Sequence, residues 1–371
     1  MLSSRSIFRI RRGTRRIDPA APLILLKAQY GISDMEVTTM ENKTIKIRFV
    51  GFWEEFDAET FSITQILRKH FDVRICDDAD FVICSCIGRF YEFLKYPQVR
   101  IMYVGENYIP DLNMVDYAIT PYPISLLDRC FHLPQGLRSP ENLDYCMRRS
   151  NGAVRFDASI LKQKTRFANF CASHESEHGN RGNFFKELCE YKKVDSIGTY
   201  LNNTGVIVKR TDGSKAAYQK SCKFTLCFES TAHGGFNTEK IVDAFCSDTI
   251  PVYYGDPYIG DVFNKNAFIN VGDYACFGDA IKAVKKLDQD DDAYLRMLNE
   301  PVFTDPAYPE RLVKEYEEFI VNIFKQSPEQ AFRRSRAYFS HYYDSYVTKV
   351  TKTYYAPLTQ KLLRIKNIIK R

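Results

Sequence analysis

From residue 45 onward the chain alternates short apolar runs with stretches of helical period. Ile45-Lys-Ile-Arg-Phe-Val-Gly51 opens as a strand, and Glu59 to Lys69 carries the spacing of a helix. Apolar runs recur at Val73-Arg-Ile-Cys76, Phe81–Cys86, Val99–Val104 and Tyr117-Ala-Ile-Thr120. Short apolar strands separated by helices are the pattern of a parallel sheet with crossover helices. Residues 137–162 are polar and irregular and read as a linker. A second series starts at Arg166-Phe-Ala-Asn-Phe-Cys-Ala172, followed by a helix over Asn183 to Tyr191. Further strands are predicted at Lys223–Glu229, Ile250–Tyr254 and Ala267–Val271, with helices near Phe277–Leu287 and Pro309–Phe324. Two such series predict an α/β chain of two Rossmann-like domains facing a cleft.

The ends differ from the middle. Residues 1–43 show no periodic pattern and read as a poorly ordered basic leader, so a downstream start at Met35 or Met40 fits as well. The predicted division is then 1–43 leader, 44–150 first domain, 151–326 second domain and 327–371 basic helical tail. In the tail, Leu358, Leu362, Ile365 and Ile369 share one helical face, ringed by Lys361, Arg364, Lys366, Lys370 and Arg371. Such a helix either lies on an anionic membrane or packs on the body with a solvated charged face.

Charge sharpens this picture. The net charge is +6, but residues 1–16 hold six Arg and no acid, and the tail holds ten Lys or Arg against Glu329 and Asp344. The remainder carries 36 basic and 44 acidic residues. A nucleic-acid-binding core would place its basic stripe on the folded domain, so this distribution argues against one. The eleven Cys follow no repeating interval and include no CxxC, which suits buried thiols in a reducing compartment. No run reaches the roughly 18 apolar residues of a membrane span, and the Arg-rich start lacks a signal-peptide core. These features predict a cytoplasmic protein, peripheral on the membrane face if the tail binds there.

The chemistry concentrates in Phe224 to Gly255. This stretch reads strand, glycine loop, helix, strand. Gly234 and Gly235 free the loop for close approach to a ligand. Asn237 or Thr238 stands where a helix cap belongs. Lys240 falls in the first helical turn, where the macrodipole disfavours a cation but backbone N–H groups attract an anion. A phosphate would reconcile the two, with Glu239 available to sugar hydroxyls. The plainer reading is a surface Glu-Lys pair.

The same stretch resembles the donor-binding signature of the α-1,3/4-fucosyltransferases (glycosyltransferase family 10), especially the bacterial branch. The matching residues are Phe224, Leu226, Phe228, Glu229, Thr238, Glu239, Lys240, Ile250, Pro251, Val252 and Gly255. Weaker similarity covers about 45–325: Tyr103-Val-Gly-Glu-Asn107, Phe167–Ser173 with Arg181 and Phe184, and Val194-Asp-Ser-Ile-Gly198 with Leu201-Asn-Asn203. The chain departs from that family at Phe236, where Tyr is usual, at Ser230, where Asn is usual, and at Leu201, where an Arg can stand. The heptad array of some bacterial relatives is absent.

The resemblance implies a GT-B fold and an inverting transfer of L-fucose from GDP-β-L-fucose to the 3- or 4-hydroxyl of N-acetylglucosamine in a lactosamine-type surface glycan. It implies Glu106 as general base and Glu239 as the group orienting the fucose. Lys240 and Arg181 would hold the phosphates, with Glu229, Phe236, Asn237, Thr238 and Asn203 completing the donor site. No metal cofactor is implied. Trp53, with Phe52 and Phe56, either forms an acceptor platform or packs in the core; His233 touches a substrate or lies on the loop surface. A transferase for another nucleotide sugar and a non-catalytic nucleotide-sugar-binding protein are the competing readings. His174-Glu-Ser-Glu-His178 matches HExxH, but zinc protease chemistry needs that motif on a helix, and here it follows a strand and runs into Gly179.

Overall fold

The first series of apolar runs forms six strands: β1 (Thr44–Val50), β2 (Asp72–Ile75), β3 (Phe81–Ser85), β4 (Val99–Tyr103), β5 (Tyr117–Thr120) and β6 (Cys130–His132). They lie in the order β2-β1-β3-β4-β5-β6. The second series gives β7 (Arg166–Phe170), β8 (Val194–Ser196), β9 (Cys222–Phe228), β10 (Ile250–Tyr254) and β11 (Ile269–Asn270), in the order β11-β10-β9-β7-β8. Every pairing between these strands is parallel. The computed structural model describes residues 43–88, 91–209, 212–335 and 337–369. The predicted leader lies outside them, save Lys43. Thr44–Arg371 is one compact unit.

Strand sequences explain the layering. Alternate residues point to opposite faces, and both faces of the first sheet are covered. Phe81, Ile83 and Ile101 join Ile45 and Ile47 in one core, while Val82, Cys84 and Met102 join Val50 in another. Among the described residues, eight α-helices longer than one turn follow in chain order up to Phe324: α1 (Ser62–Arg68), α2 (Pro140–Ser150), α3 (Asn180–Cys189), α4 (Ser214–Lys220), α5 (Glu239–Cys246), α6 (Phe277–Asp288), α7 (Asp291–Leu298) and α8 (Tyr308–Phe324).

Two of them revise the expected domain layout. The 137–162 stretch is not an irregular linker. Ser139 caps α2 by accepting from Asn142 N–H at 3.3 Å, with Pro140 in the first turn. Leu143 and Cys146 of α2 are buried with Ile241, Val242 and Phe245 of α5, so this helix ties the two halves together. Arg149 pins the same junction from a buried position, donating to Phe245 O at 2.8 Å and to Leu298 O. Secondly, α8 belongs in sequence to the 151–326 stretch but returns to the first sheet. Its Leu312, Tyr316, Ile320 and Phe324 share the core of Ile45 and Ile83, and Phe324 meets Phe81 at 4.7 Å.

The tail continues on the first half. A capping box at Ser327 and Gln330 starts the one-turn α9 (Pro328–Ala331). Arg333 and Arg334 N–H then donate to Asp116 Oδ1 at 2.8 and 2.9 Å, and Arg334 Nε lies 2.9 Å from Asp116 Oδ2, both side chains fully buried. Beyond this strap run α10 (Tyr338–Tyr354) and α11 (Pro357–Ile369). Leu358 and Leu362 are exposed, so α11 does not use them to pack on the body. Among the described residues no helix is long and apolar enough to cross a membrane.

In each sheet the first strand of the series sits between the second and third. Connections leave it in opposite directions, opening a crevice at the carboxyl ends of the strands where such sheets bind ligands. In the second sheet that crevice lies between the loops after β7 and β9.

Candidate active site

The chain leaves β9 at Glu229, whose N–H still donates to Tyr254 O at 2.9 Å. Its carboxylate turns inward and is fully buried. A buried carboxylate must be met by donors. Oε1 accepts from Thr238 N–H at 2.8 Å and from the Thr238 hydroxyl at 3.0 Å. Oε2 accepts from Lys240 Nζ at 2.8 Å. Lys240 Nζ also donates to Thr238 Oγ1 at 2.7 Å. A Cβ on Gly255 would come within 2.6 Å of Glu229 Cγ, so a side chain there would displace the carboxylate.

Lys240 keeps 21% of its side chain exposed. Burial pulls its ammonium pKa down, but attraction to Glu229 and then Glu239 outweighs it and holds the pKa above its ordinary value. The lysine is therefore charged at neutral pH. Thr238 stands at the cap of α5, yet its hydroxyl is committed to Glu229 and makes no cap bond. The first-turn N–H groups of α5 thus have no side-chain cap, and a half-buried Lys stands beside them. Uncapped N–H groups beside a cation are the donors that an anion at a helix N-terminus needs. Ile241, Val242, Ala244 and Phe245 anchor the helix from its opposite face, each fully buried, at about 1.5–3 kcal/mol for a buried side chain of Val, Ile or Phe size.

Arg181 closes the other side of the crevice. It is 4% exposed, donating from Nε to Phe228 O at 3.1 Å and from Nη1 to His174 O at 3.0 Å. It therefore braces the loops after β7 and β9 against each other. Burial lowers its pKa, opposed chiefly by Glu229.

The first domain meets the glycine loop through Tyr122. Its ring stacks on Phe236 at 5.5 Å and meets His233 edge-on at 5.4 Å. The Tyr122 hydroxyl donates to Asn107 Oδ1. Glu106 is the neighbour of Asn107, exposed in the loop that follows β4. Tyr122 thereby links the Glu106 loop to the glycine loop through two ring contacts and one hydrogen bond. Gly235 adopts φ +81° and lies where a Cβ would fall 2.0 Å from Pro123 Cδ.

Two family models match the chain. Residues 161–299 fit the C-terminal region of glycosyltransferase family 10 (fucosyltransferase), and residues 47–137 fit the α-(1,3)-fucosyltransferase FucT N-terminal domain. The chain belongs to the family 10 fucosyltransferases. It is similar to the α-(1,3)-fucosyltransferase FucT of Helicobacter pylori, 28% identical over 292 residues, 69% of this chain and 60% of that protein. A relative from Acanthamoeba polyphaga mimivirus is 27% identical over 325 residues, 82% of this chain and 51% of that protein. The chain thus spans half to three-fifths of these relatives' lengths. A solved α1,3-fucosyltransferase with GDP-fucose superposes with a TM-score of 0.59 at 24% identity, covering 78% of this chain and 93% of the other. The GT-B arrangement of two parallel sheets is common to both.

Within this fucosyltransferase fold, the remaining sequence candidates fall into distinct places. Phe236 is buried against Tyr122, so the missing phenol leaves an interdomain stack intact. Asn237 is buried, with Nδ2 donating to Asp256 Oδ2 at 3.2 Å. Asn203 commits both ends of its amide to β8, accepting from Ser196 N–H at 2.9 Å and donating to Val194 O at 2.9 Å. Trp53 is 43% exposed at the edge of a cluster with Phe52 and Phe56. Trp53 and Asn203 make no hydrogen bond or ring contact with the Glu229–Lys240 cluster among those found in the described residues.

His174 to His178 forms a loop, not a helix. Glu175 accepts from Gly182 N–H at 3.0 Å and from the Tyr200 hydroxyl, capping α3 from outside. This cap starts α3 at Asn180, three residues before the expected Asn183. Gly182 is needed there, because a Cβ would sit 2.4 Å from Glu175 Oε2. Sequence reasoning missed Glu175, Tyr122 and Asp256 as site-building residues. Tyr122 and Asp256 each stand two residues past a strand end, and Glu175 drew notice only within the His174–His178 motif.

Proposed function

We propose that this chain transfers L-fucose from GDP-β-L-fucose, with inversion, to the 3-hydroxyl (or 4-hydroxyl) of N-acetylglucosamine in a lactosamine-type surface glycan. One observation carries the reading: Lys240, held by buried Glu229 and Thr238, stands at the uncapped start of α5 in the crevice of the second sheet. That arrangement suits a pyrophosphate, and the H. pylori relative is named for fucose transfer.

The chemistry follows from the residues. Inversion needs a base to take the proton of the attacking hydroxyl. Glu106 is exposed at the carboxyl end of β4 and is free to reach an acceptor. Glu239, beside Lys240 and half-buried, orients the fucose and favours positive charge developing on its ring. Lys240 and the first-turn N–H groups of α5 stabilise the departing GDP, with Arg181 holding the crevice walls in place. These groups supply the charge stabilisation without a resident metal.

The eleven free cysteines suit a reducing compartment. The exposed Leu358 and Leu362, with Tyr338, Tyr342 and Tyr346 on α10, suit peripheral contact with an anionic membrane. We place the enzyme at the cytoplasmic membrane face. The deciding experiment is incubation with labelled GDP-fucose and lactosamine, with and without chelator. Transfer that survives chelation supports the proposal. Donor bound without product points to a binding protein, and product only from another nucleotide sugar moves the donor assignment.

A further inference from the structure

Asp256 lies just past β10 and is 3% exposed. Its Oδ1 accepts from Gly235 N–H at 2.7 Å and from Tyr258 N–H at 2.9 Å. Its Oδ2 accepts from Asn237 Nδ2 at 3.2 Å, and its own N–H donates to the Tyr253 hydroxyl at 2.9 Å. No salt bridge to Asp256 is found among the described residues, and its oxygens accept from the N–H groups of Gly235, Tyr258 and Asn237. A carboxylate buried this way costs desolvation that only its hydrogen bonds offset. The bonds it makes all converge on one segment and its support.

That segment leads directly into the donor site. Asp256 grips Gly235 and Asn237; Glu229 grips Thr238 and Lys240. Two buried carboxylates thus fix alternate ends of a six-residue stretch, and Gly235 sits at φ +81° in that grip. We propose that Asp256 is a positioning residue for the donor. It sets the path of Gly235–Asn237 so that Thr238 and Lys240 meet the pyrophosphate already in place. Preorganisation of this kind appears as donor affinity. Asn237 adds a second feature: its Oδ1 is buried without a partner. An amide at position 256 can keep both backbone acceptor bonds through its oxygen. Its NH₂ can then donate to that Oδ1 once the Asn237 amide turns over.

This inference rests on the donor-site reading above, and its test separates the two. Asp256→Ala and Asp256→Asn are made in the full chain. Donor KM, acceptor KM and kcat are measured, along with amide hydrogen exchange at Gly235 and Tyr258 in the free protein. Asp256→Ala raises the donor KM about tenfold or more, as loss of charge-assisted bonds predicts. The acceptor KM stays unchanged, and exchange at both amides quickens. Asp256→Asn returns donor KM and exchange to near wild type. An unchanged donor KM in Asp256→Ala, a loss confined to kcat, or an Asp256→Asn as impaired as the alanine variant overturns the proposal. If the wild type transfers nothing from GDP-fucose, the donor reading falls. Exchange alone then decides whether Asp256 fixes the loop: unchanged exchange in Asp256→Ala overturns it.

Discussion

Glu229 and Asp256 act on the site from buried positions, and Glu175 does so from a half-buried one. Each is a carboxylate whose oxygens are taken by the chain's own donors. Their partners, Lys240, α3 and the glycine loop, are what a ligand would meet. Glu106 is the opposite case, an exposed carboxylate in a strand-end loop. If it is the base, Glu106→Gln lowers kcat about 10²- to 10⁴-fold, the usual worth of positioned proton transfer. GDP affinity measured by calorimetry stays at the wild-type value, and unchanged turnover excludes the role. At this scale the sequence showed identities but not orientations. It placed Lys240 in a first helical turn, as found, but gave no sign that Glu229 would face inward or that both amide ends of Asn203 would be spent on β8.

At the scale of elements, legibility followed period and length. β1, β3, β4, β9 and β10 announce themselves as apolar runs bounded by turns, and all formed near their expected limits. The three-residue strands β6 and β8 carry too few positions to show a period, and the seven-residue α4 buries only the polar Gln219. α2 was lost because only Leu143, Cys146 and Arg149 of its residues are buried, and one of those is charged. α8 was read correctly as a helix, but no sequence period says which sheet a helix will cover. The strap after α9 shows how the tail is held. Arg334→Ala leaves Asp116 buried without its cation, which costs about 3–5 kcal/mol. Urea unfolding followed by tryptophan fluorescence and circular dichroism should show that loss in the denaturation midpoint; an unmoved midpoint would mean the strap adds nothing.

For the whole molecule, two parallel sheets of the same winding place two crevices at carboxyl strand ends. The twin Rossmann-like reading anticipated this, whereas the crossing of α2 and α8 between the halves was not visible without contacts. Those crossings mean that the half carrying Glu106 and the half carrying Lys240 share one continuous core. Beyond that core, α10 and α11 expose Tyr338, Tyr342, Tyr346, Leu358 and Leu362. Deleting 357–371 lowers co-sedimentation with vesicles containing anionic lipid and leaves transfer to a soluble lactosamine unchanged; equal sedimentation removes the membrane role. The most direct test of the account is the affinity of the full chain for GDP, read by calorimetry with and without Lys240→Ala. Loss of a charge-assisted contact to phosphate predicts a fall of about 10- to 100-fold. An affinity equal to the wild type would contradict the account, because the nucleotide would then be held somewhere other than the start of α5.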